Sequence, residues 1–198
     1  EHVAIAVHEC GHALNLALPC GKYPDRICAF SPNANNEGYM SIKGGSNIET
    51  KRDVIADIVI SLGGWAAEAV VFGADLLSTG SATDLERASG LAFNYVSRFG
   101  FHNIPIIRLR LANPDPTGVS MREEDEEAVR RIIVVAKDEA LENVRGNLPF
   151  VLSLTQETLS RPHVDAHTMK TLAEEHGLSL SPLTGQAAVF ERALEDKE

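Results

Sequence analysis

Residues 8 to 12 read His-Glu-Cys-Gly-His, two histidines four apart with a glutamate beside the first. On a helix, positions i and i+4 project from one face about 5 to 6 Å apart, so two imidazoles can share one ion. Zinc bonds histidine nitrogen at roughly 2.0 to 2.1 Å, and this separation lets both rings converge without distorting the backbone. Glu9 is turned by about 100° from His8. That sets it beside the metal rather than on it, where it can take a proton from water. The chemistry implied is peptide hydrolysis: zinc lowers the pKa of its water towards about 7 and polarises the carbonyl, while Glu9 accepts the proton and passes it to the leaving amine.

A catalytic zinc usually has three protein ligands and one open position, so His8 and His12 need a partner. The metzincin pattern asks for Gly three residues and His six residues after the second histidine; Asn15 and Leu18 stand there, which excludes it. The other common solution is a carboxylate from a later helix, and Glu68, Asp75 and Asp84 are the candidates. Each has a plainer reading. Asp84 suits the first turn of a helix by dipole and capping alone, and Glu68 suits a salt bridge or an orienting bond to an imidazole. Spacing does not choose among them.

The elements that must position these residues can be read from periodicity. Val3, Val7, Ala13, Leu14 and Leu18 recur at helical spacing, so residues 2 to 18 form an amphipathic helix that stops before Pro19. Arg26 to Ser31 and Glu37 to Lys43 have strand character and are separated by turn residues, which makes a hairpin. Thr50 caps a helix with Asp53 at the capping-box position, and its apolar run reaches about Phe72. Gly63 and Gly64 within it cost roughly 1 kcal/mol each against Ala, so close packing on a neighbour, the first helix, is expected to compensate.

After the polar break at residues 78 to 81, Asp84 opens a helix to Arg98. Residues 102 to 118 read as irregular. Arg122 to Gly146 reads as a long charged helix whose acidic run at 123 to 127 opens it and meets water, and two shorter helices follow at Pro149 to Ser160 and Ala166 to His176. The expected fold is mainly α with one small β-hairpin near the site. It comprises a domain over residues 1 to 178 and a partly ordered tail over 179 to 198.

Composition narrows the class. With 44% apolar and 23% charged residues among 198, the chain reads as an ordinary folded domain. The 28 acidic against 18 basic residues, net −10, and the lack of a Lys/Arg cluster argue against nucleic acid as a partner. Cys10, Cys20 and Cys28 form no CxxC pair, and reduced, mostly buried thiols in a cytoplasmic setting are expected. His102, His163, His167 and His176 have no partner at metal spacing and read as surface or capping histidines. No run of about 18 apolar residues stands out, so this chain is not expected to insert in a membrane itself. It begins at Glu1 inside a helical pattern, as a piece of a longer protein would.

The segments VAIAVHECGHAL, DIVISLGGWAAEAVVFG and STGSATDLERASGLAFNYVSRFGF resemble the peptidase domain of the FtsH family, the membrane-associated AAA+ zinc proteases of peptidase family M41. The resemblance runs from about Val3 to Leu172, with VRRIIVVAKDEALENVRGNLPFVLSL continuing it in order. It implies a zinc endopeptidase that degrades unfolded polypeptide, with His8, His12 and Asp84 as metal ligands, the last because STGSATDL matches the family's STGA-x-x-DL segment. It also implies an AAA+ ATPase module upstream or in trans, a hexameric assembly, membrane association through segments outside this chain, and a strand beside the cleft, here Gly38 to Lys43, that aligns substrate. This sequence departs from the family pattern in having Trp65 for a common Arg and Cys10 for a common Ala, and it contains no G-x-x-x-x-G-K-[ST] phosphate loop. A reading of another class stands beside this one: a catalytically silent scaffold domain stabilised by zinc, against which the presence of Glu9 argues.

Overall fold

The structure, a computed structural model, describes residues 2–30, 38–42, 49–101 and 123–180. The expected hairpin turn, the stretch after Phe101 that reads as irregular, with His102 in it, and nearly all of the expected tail lie outside the described residues. Among the described residues the fold is mainly α: α1 (His2–Cys20), α2 (Lys51–Phe72), α3 (Ala82–Ser97), α4 (Glu123–Gly146), α5 (Leu148–Ser160) and α6 (Ala166–Glu175), with three short strands.

α2 packs against α1, α3 and α4, while α5 packs against α1 and α6. It begins as its residues dictate: the Thr50 hydroxyl accepts from the Asp53 N–H and the Asp53 carboxylate accepts from the Thr50 N–H at 2.7 Å, a complete capping box. Ile58, Leu62, Ala66 and Ala67 are fully enclosed, 1% exposed or less. By length and mean hydropathy this helix could cross a bilayer, which the sequence reading did not anticipate. Of its most apolar window 72% is buried within the protein, so its apolar surface serves as core.

The two glycines of α2 are explained by α1. A Cβ on Gly63 would lie 2.7 Å from the Gly11 carbonyl oxygen, and one on Gly11 would overlap the Gly63 backbone in turn. The two helices therefore meet backbone to backbone. Asn15, wholly buried on α1, donates to the Gly11 carbonyl and accepts from the Asn143 amide on α4, both at 3.0 Å.

α1 continues through Pro19 to Cys20, two residues beyond the expected stop. Proline's fixed φ is itself helical, so a proline near the end forfeits one hydrogen bond without ending the last turn. Gly21, at φ 63°, then closes it by donating to the Ala17 carbonyl.

The expected hairpin is part of a three-stranded antiparallel sheet ordered β2-β1-β3. β1 (Arg26–Cys28) pairs with β2 (Tyr39–Ser41) in the register Ile27↔Met40, and with β3 (Val164–Asp165) in the register Ile27↔Val164. Two residues carry no readable alternation, which is why β3 escapes a sequence reading. Its Asp165 also caps α6 by accepting from the Thr168 N–H.

α3 starts at Ala82, so Asp84 lies within its first turn. The acidic run does open α4, but Asp125 within it is buried, contrary to expectation. His163, His167 and His176 are exposed as expected, and His176 pairs with the Ser153 hydroxyl. Of the thiols, Cys10 and Cys28 are buried, but Cys20, the last residue of α1, is exposed.

These placements give two expected outcomes. Burial pushes the Cys10 thiol up to about 12, and Cys28 donates to the Phe30 carbonyl. A thiol-reactive chromophore should therefore count one fast equivalent on the native chain and three in denaturant; three at native conditions would contradict the packing. Gly63→Ala should lower unfolding stability in urea by about 1–3 kcal/mol, because its clash is with backbone that cannot swing aside.

Candidate metal centre

α1 supplies three of the side chains at issue and fixes their relative placement. His8 and His12 stand one turn apart with ring centroids 4.7 Å apart, and Glu9 lies on the adjoining face. The orientation of each ring is then set by α2. His12 Nδ1 donates to the Ile60 carbonyl at 2.7 Å, a bond that puts its hydrogen on Nδ1. His8 Nδ1 meets Glu68 Oε1 at 2.7 Å, and the other oxygen of Glu68 accepts from the Ser78 N–H at 2.8 Å.

Glu68 is 1% exposed, yet its pKa lies below the usual glutamate range: burial raises it, and the Ser78 N–H and the His8 ring together outweigh that. It is therefore ionised and draws the His8 hydrogen to Nδ1. Gly64 makes room for this pose. A Cβ there would come 2.6 Å from His8 Cδ2, so only glycine lets the ring lie against α2.

With both hydrogens on Nδ1, the two Nε2 atoms present lone pairs to each other, 3.0 Å apart. Asp84 Oδ2 completes the group at 2.9 Å from His8 Nε2 and 3.2 Å from His12 Nε2. Three acceptors thus face one another with no hydrogen of their own to share, a grouping that is satisfied by a cation. A tetrahedral ion at the bond lengths of zinc separates its ligands by about 3.3 Å, so a few tenths of an ångström of outward movement would seat one. His8, His12 and Asp84 are the residues that could hold it.

The electrostatics agree. Burial lowers the His8 pKa, but the Asp84 and Glu68 carboxylates and the charge of Glu9 outweigh it, so the ring attracts positive charge. Burial raises the pKa of Asp84, but positive charge on the two facing Nε2 atoms holds it well below the ordinary aspartate value; with the ring hydrogens on Nδ1, a cation between the three atoms would take the place of those protons. Glu9, 9% exposed, is shifted the other way: burial raises it more than the imidazoles lower it, as suits a carboxylate that takes up a proton.

These groups line one cleft of about 760 Å³. Ile5, Met40 and Ile60 give it apolar walls, and the sheet's β2 borders it through Tyr39 and Met40. Gly38 leads into that strand directly over α1, where a Cβ would meet Glu9 Cγ at 2.9 Å.

Of the three carboxylates weighed as a partner for the histidines, Asp84 joins them. Glu68 takes the orienting position, and Asp75 is exposed on the short helical turn Ala74–Leu76, away from the group. Sequence reasoning missed the Ile60 carbonyl, which any residue type could offer, and the Ser78 N–H. For Gly64 a signal existed, since a glycine in a helix at about 1 kcal/mol of cost asks for a close neighbour, and the first helix was the one expected; that His8 is the residue it meets was hidden.

Comparison with known proteins decides the family. Residues 1–172 match the description of peptidase family M41. This chain belongs to peptidase family M41. Among its relatives are the ATP-dependent zinc metalloprotease FtsH of Mycoplasmopsis synoviae (strain 53), 30% identical over 88% of this chain and 28% of that protein, and that of Aquifex aeolicus (strain VF5), 28% identical over 100% of this chain and 33% of the relative. The chloroplastic ATP-dependent zinc metalloprotease FTSH 6 of Arabidopsis thaliana is 27% identical over 87% of this chain and 27% of its own length. The chain thus spans between a quarter and a third of these M41 relatives.

The bond from His8 Nδ1 to the Glu68 carboxylate should appear as a downfield, slowly exchanging proton in the NMR spectrum of the native chain. Glu68→Gln and Gly64→Ala should each abolish it while leaving the far-ultraviolet circular dichroism intact; its survival in both would show that neither residue fixes the ring.

Proposed function

We propose that this chain is a zinc-dependent endopeptidase core that hydrolyses peptide bonds of unfolded or partly unfolded polypeptide, with His8, His12 and Asp84 holding the ion and Glu9 as the general base. The observation that carries the reading is the convergence of two Nε2 lone pairs and one carboxylate oxygen within 3.2 Å, beside a buried glutamate and open to a cleft. M41 membership and relatives named as zinc metalloproteases support zinc over other ions.

The bound zinc would supply Lewis acidity towards water and the scissile carbonyl. The chain's own residues do the rest. Glu9 takes a proton from the attacking water and returns it to the leaving nitrogen, a task for which its raised pKa suits it. Glu68 and the Ile60 carbonyl keep the hydrogens of both imidazoles on Nδ1 so that Nε2 remains a ligand. Among the described residues β2 pairs only with β1, and its outer edge could add a substrate strand by main-chain bonds, which tolerates many sequences. The fraction of its relatives that the chain spans fits a proteolytic part that works with an AAA+ ATPase module, upstream or in trans, in a hexameric assembly.

Cleavage of casein should require zinc, stop with a chelator and return on zinc addition. Glu9→Gln should lower the rate by about 10²–10⁴-fold while one zinc still binds per chain. Unchanged turnover in Glu9→Gln would end the general-base assignment, and a wild-type chain that binds zinc without turnover would favour the scaffold reading.

A further inference from the structure

The cleft holds one feature that hydrolysis as described leaves unused. Its ionisable walls are acidic, with Glu9, Glu68 and Asp84, and among the residues lining it Arg87 is the single lysine or arginine. Arg87 follows Asp84 by three residues on α3, so the two share a helix face and the guanidinium rises about one turn from the metal ligands.

Its ionic partner among the described residues is Asp57 on α2, at 3.8 Å, with 62% of the Arg87 side chain exposed. That distance is too long for a hydrogen bond, so the pair locates the guanidinium at the rim without using its fork of donors. A planar cation with unspent paired donors, facing a cleft, matches a carboxylate.

We infer that Arg87 is a specificity-determining residue that receives a substrate carboxylate within about two residues of the cleaved bond, given an extended rise of roughly 3.3 Å per residue. The carboxylate is either an acidic side chain or the C-terminus of the polypeptide. The proposal rests on the peptidase reading for its consequence, but not for the binding that carries it.

The test uses the full chain and short quenched-fluorescence peptides with Glu or Gln at each of the two positions on either side of the bond, with free or amidated C-termini. For wild type, Glu at one of these positions, or the free C-terminus, should raise kcat/KM about five- to tenfold. In Arg87→Met that ratio should fall to about one, in Arg87→Lys it should partly return, and in Arg87→Glu a Lys-bearing peptide should become the preferred one. Preference confined to internal Glu in amidated peptides identifies a side chain; preference confined to free termini identifies the chain end. A ratio near one in wild type, or the same ratio in wild type and Arg87→Met, would overturn the inference.

Fluorescence polarisation on the Glu9→Gln background separates this result from the peptidase reading. If labelled Glu peptide binds more tightly than Gln peptide and Arg87→Met removes the difference, while wild type cleaves nothing, the peptidase reading falls and the carboxylate site stands. If cleavage proceeds but binding and turnover are both blind to the carboxylate, Arg87 has no such role.

Discussion

The site depends on how closely α1 and α2 approach. At Gly11 and Gly63 the two helices touch through backbone, and this contact sets His8 and His12 against the face of α2 that offers Glu68 and the Ile60 carbonyl. Had the helices packed at an ordinary 8–10 Å through larger side chains, neither ring nitrogen could reach its partner. The next residue, Gly64, extends the same close approach to the His8 ring. Small residues that are unfavourable within an isolated helix are thus what allow two rings to be locked by a second helix.

The charges follow the same economy. Glu68 is ionised in a buried position because one oxygen has the Ser78 N–H and the other a histidine. Asp84 faces two ring nitrogens, and positive charge there favours its ionised form, whereas Glu9 has burial without a hydrogen-bonded partner of that kind, and its pKa moves upward. Three carboxylates within one cleft are therefore set to different tasks by their surroundings. The opposed behaviour of Asp84 and Glu9 follows from geometry, since both Nε2 atoms point at Asp84 and neither ring is hydrogen-bonded to Glu9.

Much of this was legible in the sequence where the signal is local. The helix that carries His8 and His12, the capping box of Thr50 and Asp53, and the end of α2 at Phe72 all follow from spacing over a few residues. The double glycine announced a close packing partner, and α1 proved to be it. The choice of Asp84 over Glu68 and Asp75 was not local: it depends on how the turn at 79–81 aims α3 at α1, and only the family resemblance pointed to it. β3 was invisible because two residues have no period, and the exposure of Cys20 at the end of α1 leaves no mark in the spacing. Backbone groups such as the Ile60 carbonyl leave no trace in residue types at all.

The central claim is that His8, His12 and Asp84 close around one divalent ion with the histidine hydrogens held on Nδ1. Diffraction recorded on both sides of the zinc absorption edge, from crystals grown with zinc, tests it most directly. The account requires a single strong anomalous peak per chain, bonded to both Nε2 atoms and to an Asp84 oxygen at about 2.0 to 2.2 Å, with one position open to the cleft. A peak bound through Nδ1, a peak elsewhere, or an Asp84 turned away from the ion would contradict it.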